Sequence, residues 1–134
     1  MDDCIFCKIQ NGETPCYKIY EDDKFLGFLD INPLNPGNSL LIPKKHYRWV
    51  IDVPEFGQYW EVAKKIAIAS QAGLSAMSVS FLTLGFEVPH AHIRIIPRFS
   101  EDRPRFDDGI NTKDVIAIPP DQMVTISQKI KTCL

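Results

Sequence analysis

Apolar residues recur at Phe56, Tyr59, Trp60, Ala63, Ile66 and Ala67, the i, i+3, i+4, i+7 spacing of a helix with one buried stripe. The spacing predicts one long helix from Pro54 to about Ala72. Pro54 suits its first turn and Gly73 a C-terminal cap. The stripe needs cover, and its neighbours on both sides read as strands. Tyr17 to Tyr20 and Phe25 to Leu29 are rich in aromatic and branched side chains around an Asp22-Asp23 turn, which predicts a hairpin. The turn formers of Asn32 to Asn38 feed an apolar run, Leu40-Leu41-Ile42, that Pro43 ends. Beyond the helix, Ser78 to Leu84 alternates small polar with apolar residues, and His90 to Ile96 reads as a further strand. The remainder is polar and irregular through Asn111, with a short terminal helix over Asp121 to Lys131. The expected class is α+β, with an antiparallel sheet of about five strands, the long helix on one face and a short N-terminal helix.

The 134 residues fit a single domain, 1–134, with a core of about 4–98 and a tail of 99–134. A net charge of −2 supplies no general basic field, so nucleic acid is an unfavoured partner. The acidic start, Met1-Asp2-Asp3, does not read as a secretory signal, and no apolar run approaches the ~20 residues that cross a bilayer. A soluble, cytoplasmic protein is expected. There four cysteines are better explained by metal or packing than by disulfides. Cys4-x-x-Cys7 has the spacing of two zinc ligands, although such a pair alone reads more readily as two buried thiols.

On a strand, His90, His92 and Arg94 share one face while Ala91, Ile93 and Ile95 share the other. The segment Gly85-Phe86-Glu87-Val88-Pro89-His90-Ala91-His92-Ile93-Arg94-Ile95-Ile96-Pro97-Arg98 resembles the signature of the histidine-triad nucleotide-binding proteins, His-φ-His-φ-His-φ-φ with φ apolar. Cys4 to Ile9, Leu29 to Pro33 and Pro36 to His46 resemble that family's N-terminal segment, ribose-binding turn and central strand.

The resemblance implies a nucleotidyl hydrolase or transferase acting on nucleoside phosphoramidates or dinucleotides, with His92 the nucleophile on the α-phosphate and a purine nucleotide the bound ligand. It further implies a nucleoside pocket from Ile5, Phe6, Phe28 and Ile31, with Ile9 and Leu29 nearer to core. Asp30 would take the ribose, and Asn38, Glu87 and Arg94 would lie near the phosphate. His46 and His90 would complete a structural zinc site with Cys4 and Cys7, and a homodimer is implied, the stripe of Phe56, Tyr59 and Trp60 serving either core or dimer contact. Lys44 and Lys45 read as a solvated basic pair at a strand end, and Arg98 as a cation that would steer anionic substrates.

Three positions depart from the family pattern. Arg94 replaces the third histidine and can clamp phosphate but cannot act as an acid. Asn38 replaces a titratable histidine, and Phe86 stands where many relatives have glutamine. A zinc-stabilised nucleotide-binding module with weak or no turnover is the alternative reading.

Overall fold

The computed structural model describes residues 3–134, so Met1 and Asp2 of the acidic start lie outside the described residues. The elements are helix α1 (Ile5–Gln10), strands β1 (Lys18–Glu21), β2 (Phe25–Leu29) and β3 (Ser39–Pro43), helix α2 (Phe56–Leu74), strands β4 (Ser78–Leu82) and β5 (Ile93–Arg98), and helices α3 (Arg103–Phe106) and α4 (Pro120–Thr132). The strands form one antiparallel sheet in the order β1-β2-β3-β5-β4. The expected α+β architecture is the one found.

Strands β2 and β3 are buried at every residue, which explains why they read as unbroken apolar runs. Alternation divides their side chains between two cores. Phe25, Leu29 and Leu41 join Ala91, Ile93, Ile95 and the α2 stripe of Tyr59, Ala63 and Ile66 on one face. Leu26, Phe28, Leu40 and Ile42 pack with Cys4 and Phe6 on the other. The hairpin turn is fixed by Asp22, whose Oδ1 accepts from the Lys24 and Phe25 N–H groups at 2.7 Å each.

Three elements depart from expectation at their ends. Helix α2 begins two residues late, after Glu55, and runs past Gly73 to a Ser75 cap in the left-handed region, φ 56°. Gly73 is needed for another reason, since a Cβ there would sit 2.5 Å from the Lys129 carbonyl oxygen. It is the close-approach point between α2 and α4. Strand β4 stops at Leu82 rather than Leu84. The last sheet strand starts at Ile93, not His90. Pro43 offers no N–H, and its carbonyl is taken at 2.9 Å by the His90 imidazole. Ladder pairing therefore ends at Leu41 opposite Ile93, while the Ala91 N–H goes to the Tyr47 carbonyl at 2.7 Å.

The C-terminal stretch is ordered by two sets of contacts. Leu34, Ile96 and Phe106 form a third apolar cluster, and Met123 and Ile130 of α4 enter the main core. No helix among the described residues is long and apolar enough to cross a membrane.

Candidate functional site

Helix α1 brings the N-terminal segment onto the face of the sheet that carries the even-numbered residues of the histidine segment. Cys4 is its N-cap, with Sγ accepting from the Cys7 N–H at 3.4 Å. Phe6 stands edge-on to both His90 and His92, with ring centroids 6.0 and 5.2 Å away. One aromatic ring thus separates two sites.

On the first side, Cys4, Cys7, His46 and His90 present four ligand atoms within 4.8 Å of one another. His90 Nδ1 lies 3.4 Å from each sulfur and 3.1 Å from His46 Nδ1, and Cys7 Sγ is 3.2 Å from His46 Nδ1. A tetrahedral zinc, with bonds of about 2.3 Å to sulfur and about 2.0 Å to nitrogen, needs donors roughly 3.3–3.8 Å apart. The electronic arrangement agrees. The Pro43 carbonyl can only accept, so it fixes His90 as the Nε2–H tautomer and turns the Nδ1 lone pair toward the other donors. Burial pushes the Cys7 thiol up to about 11 and His90 down to about 4, a crowding of neutral donors that a divalent cation reverses. The donor set fits a closed structural zinc, and it comprises the four ligands expected from the sequence.

On the second side is a cavity of about 270 Å³, near the small end of ligand sites. His92, Asp30, Glu87, Arg94, Ile5, Phe6, Phe28 and Ile31 all line it, and so do Ile9 and Leu29. His92 is buried, and its Nδ1–H donates to the His90 carbonyl at 2.8 Å. The carbonyl again dictates the tautomer, leaving the Nε2 lone pair free. Burial lowers the His92 pKa, favouring the neutral ring. Asp30 accepts from the Asn32 N–H at 2.9 Å, and desolvation raises its carboxyl above the ordinary range. Arg94 Nη2 is 3.7 Å from Glu87 Oε2, while its buried Nε has no hydrogen-bond partner.

Other expected contributors lie elsewhere. Asn38 is buried outside the cavity, where Oδ1 accepts from the Leu34 N–H at 2.9 Å and fixes the turn before β3. Phe86 is 79% exposed and packs edge-on against Trp49. Arg98 is held by Asp102 at 3.0 Å and stacks over Phe106, Lys44 pairs with Glu21 at 2.7 Å, and Lys45 lies over the Tyr47 ring. The cavity also takes Cys16 from the segment before β1, and Thr112 and Val115 from the C-terminal stretch. Cys16 reads in sequence as an ordinary small residue. No sequence signal marks Thr112 or Val115, which are carried to the rim by the bond from the Ile116 N–H to the Pro33 carbonyl at 2.8 Å.

The family model of the HIT domain matches residues 11–101. The chain belongs to the HIT family. A HIT-like protein of Borreliella burgdorferi is 43% identical over 118 residues, covering 81% of this HIT chain and 85% of its own length. An adenylylsulfatase of Arabidopsis thaliana is 43% identical over 109 residues, 75% of this chain but 55% of the plant protein. Among solved structures, a Hit-like protein of Bartonella henselae with an unknown ligand superposes with a TM-score of 0.83 at 29% identity, covering all of this chain and 98% of the other. A zinc-bound histidine triad family protein of Mycobacterium smegmatis gives a TM-score of 0.79 at 30% identity, with 98% and 93% covered.

Proposed function

We propose that this HIT protein binds a purine nucleoside 5′-phosphate derivative in the cavity and transfers its nucleotidyl group to His92, water then releasing the nucleoside monophosphate. The carrying observation is the buried His92 ring, its Nδ1–H on a backbone carbonyl and its Nε2 free in a cavity that also holds Asp30 and Arg94. A nucleophile needs that free lone pair, and the developing phosphoryl charge needs a fixed donor such as Arg94. Ile5, Phe6 and Phe28 enclose the base, Asp30 accepts from the ribose hydroxyls, and Arg94 with Glu87 frames the phosphate. Phosphoramidates and dinucleotides are the substrates that the family pattern suggests, and the adenylylsulfatase among the relatives supports an adenylyl group as the one transferred.

Zinc on Cys4, Cys7, His46 and His90 is structural in this reading. It ties the first turn of α1 to the histidine segment through these four side chains, and the mycobacterial neighbour is zinc-bound. The cytoplasm, where thiols stay reduced, suits four free cysteines. Phe56, Trp60 and Phe81 form an aromatic cluster beside edge strand β4, the face through which we expect two copies to pair, whereas Tyr59 belongs to the core. Light scattering on the Phe81→Glu variant tests the pairing: a dimer unchanged by the substitution refutes this face.

The functional test is intact-protein mass spectrometry after rapid quenching with an adenylyl substrate. A nucleotidyl adduct on His92, absent from His92→Ala, is expected, and full turnover by His92→Ala overturns the reading. Nucleotide binding with no adduct and no turnover puts a binding module in its place, the reading favoured by arginine at position 94.

A further inference from the structure

The charged and imidazole side chains around His92 are committed to other bonds, and the remaining proton carriers are weak acids. Arg94 lines the same cavity, but a guanidinium stays protonated and only donates hydrogen bonds. Glu87 is its ion-pair partner at 3.7 Å, and a carboxylate held by a guanidinium is an acceptor. Asp30, on the same cavity wall, spends an oxygen on the Asn32 N–H and is the carboxylate that would accept from the ribose hydroxyls. The His90 Nε2–H goes to Pro43 and the His92 Nδ1–H to His90. Cys16 and Thr112 remain on the cavity wall, but burial raises the Cys16 thiol and a hydroxyl is a weaker acid still.

Arg94 offers spare donors in a dry place instead. Its side chain is 12% exposed and its buried Nε lacks an acceptor, an arrangement that is costly until an oxygen fills it. A phosphoryl group brings two or three oxygens in the geometry that the planar fork accepts.

From this we infer that the preferred substrates are nucleotide mixed anhydrides whose leaving group departs as a stable anion, such as nucleoside phosphosulfates and acyl phosphates, while phosphoramidates and alkyl esters bind but are cleaved far more slowly at neutral pH. The inference rests on the proposed transfer to His92 and narrows its substrates. In the first step the Nε2 lone pair forms a bond to the α-phosphorus. The P–O bond to the leaving group breaks with both electrons on oxygen, and sulfate or carboxylate leaves without a proton. The imidazole, Nδ1–H still on the His90 carbonyl, carries the positive charge. Water then bonds to phosphorus, the P–N pair returns to Nε2, and the water proton goes to solvent. A phosphoramidate would have to expel an amide anion in that first step, and an alkyl ester an alkoxide.

The test uses the full zinc-loaded chain at pH 7.5 with four adenosine substrates: adenylyl sulfate, acetyl adenylate, adenosine 5′-phosphoramidate and the methyl ester of adenosine monophosphate. Monophosphate release and the nucleotidyl-enzyme adduct are followed together. Both anhydrides should load His92 and turn over, with the phosphoramidate and ester slower by about 10²–10⁴, the usual worth of a general acid. Arg94→His should raise the phosphoramidate-to-anhydride ratio of kcat/KM by about tenfold or more, toward the value of a general acid restored. Adducts forming at comparable rates from all four substrates overturn this inference and leave nucleotidyl transfer standing. The absence of an adduct from all four overturns the transfer itself and the inference with it. The leaving-group series in the unaltered protein decides the matter even where the Arg94 variant does not fold.

Discussion

A single methyl group at position 73 separates two accounts of how α2 ends and how the C-terminal helix is held. If Gly73 were a cap, alanine would fail there because of a left-handed backbone. Gly73 is instead helical, and the positive φ belongs to Ser75. A Cβ at 73 would lie 2.5 Å from the Lys129 oxygen and 3.0 Å from its carbon, where ordinary contact begins at 3.4 Å. The two helices must part by almost that difference, an overpacking that costs about 1–3 kcal/mol. Alanine's helix preference returns about 0.5–1 kcal/mol, so Gly73→Ala should lose about 1 kcal/mol net. Gly57 lies in the same helix with nothing within 4 Å of its added Cβ, and Gly57→Ala should gain about 0.5–1 kcal/mol. Ser75→Gly should gain as well, by relieving a left-handed serine worth about 1 kcal/mol. Urea unfolding midpoints of the zinc-loaded proteins at unchanged m-value measure all three. Gly73→Ala as stable as Gly57→Ala refutes the close approach, and a loss on Ser75→Gly refutes the cap.

Metal analysis should find one zinc per chain, lost on chelation and in Cys7→Ser. At a thousandfold excess of zinc over its Kd the ion supplies about 4 kcal/mol, so chelation should lower the melting temperature on the order of 10 °C. Tyr59→Phe removes a buried O–H that donates to the Leu41 carbonyl at 2.7 Å and should cost about 1 kcal/mol in a urea melt. Asp102 is raised by burial, yet hydrogen bonds from Arg98, the Phe99 N–H and Asn35 outweigh this and hold its carboxyl below the ordinary range. Its stabilisation is therefore present above the unfolded carboxylate value and is lost as pH falls through the depressed folded one. Asp102→Asn should be destabilised at neutral pH, with the gap closing in acid melts; a gap that widens toward acid refutes the sign.

The parts legible in sequence are those that local pattern controls. Doubly buried strands read as continuous apolar runs, the α2 stripe shows its period, and the expected terminal helix lies within a residue of the observed one at each end. The illegible parts are set by partners distant in the chain. The start of β5 depends on a His90 side chain that takes the Pro43 carbonyl 47 residues away. Gly73 is explained only by Lys129, and Arg98 reads as a free cation until Asp102 folds onto it. In the candidate site, Cys4-x-x-Cys7 was visible by spacing, but His46 and His90 only through the resemblance, since no local rule links positions 44 residues apart. Thr112 and Val115 had no mark at all, because a cavity wall made by a connecting segment needs neither periodicity nor charge.

His90 joins the two sites by doing three things at once: Nδ1 faces the thiols, Nε2–H closes the Pro43 carbonyl, and its own carbonyl sets the His92 tautomer. In genetic terms the position is pleiotropic. A loss-of-function allele there merges a metal defect, a sheet-end defect and a mis-protonated neighbour, and says nothing about proton transfer by His90. Alleles at Cys7 or His46 report on the metal apart from these duties, and alleles at 92 and 94 on the proposed chemistry, so a scan of the triad alone would credit His90 with a catalytic duty that its bonds leave no room for.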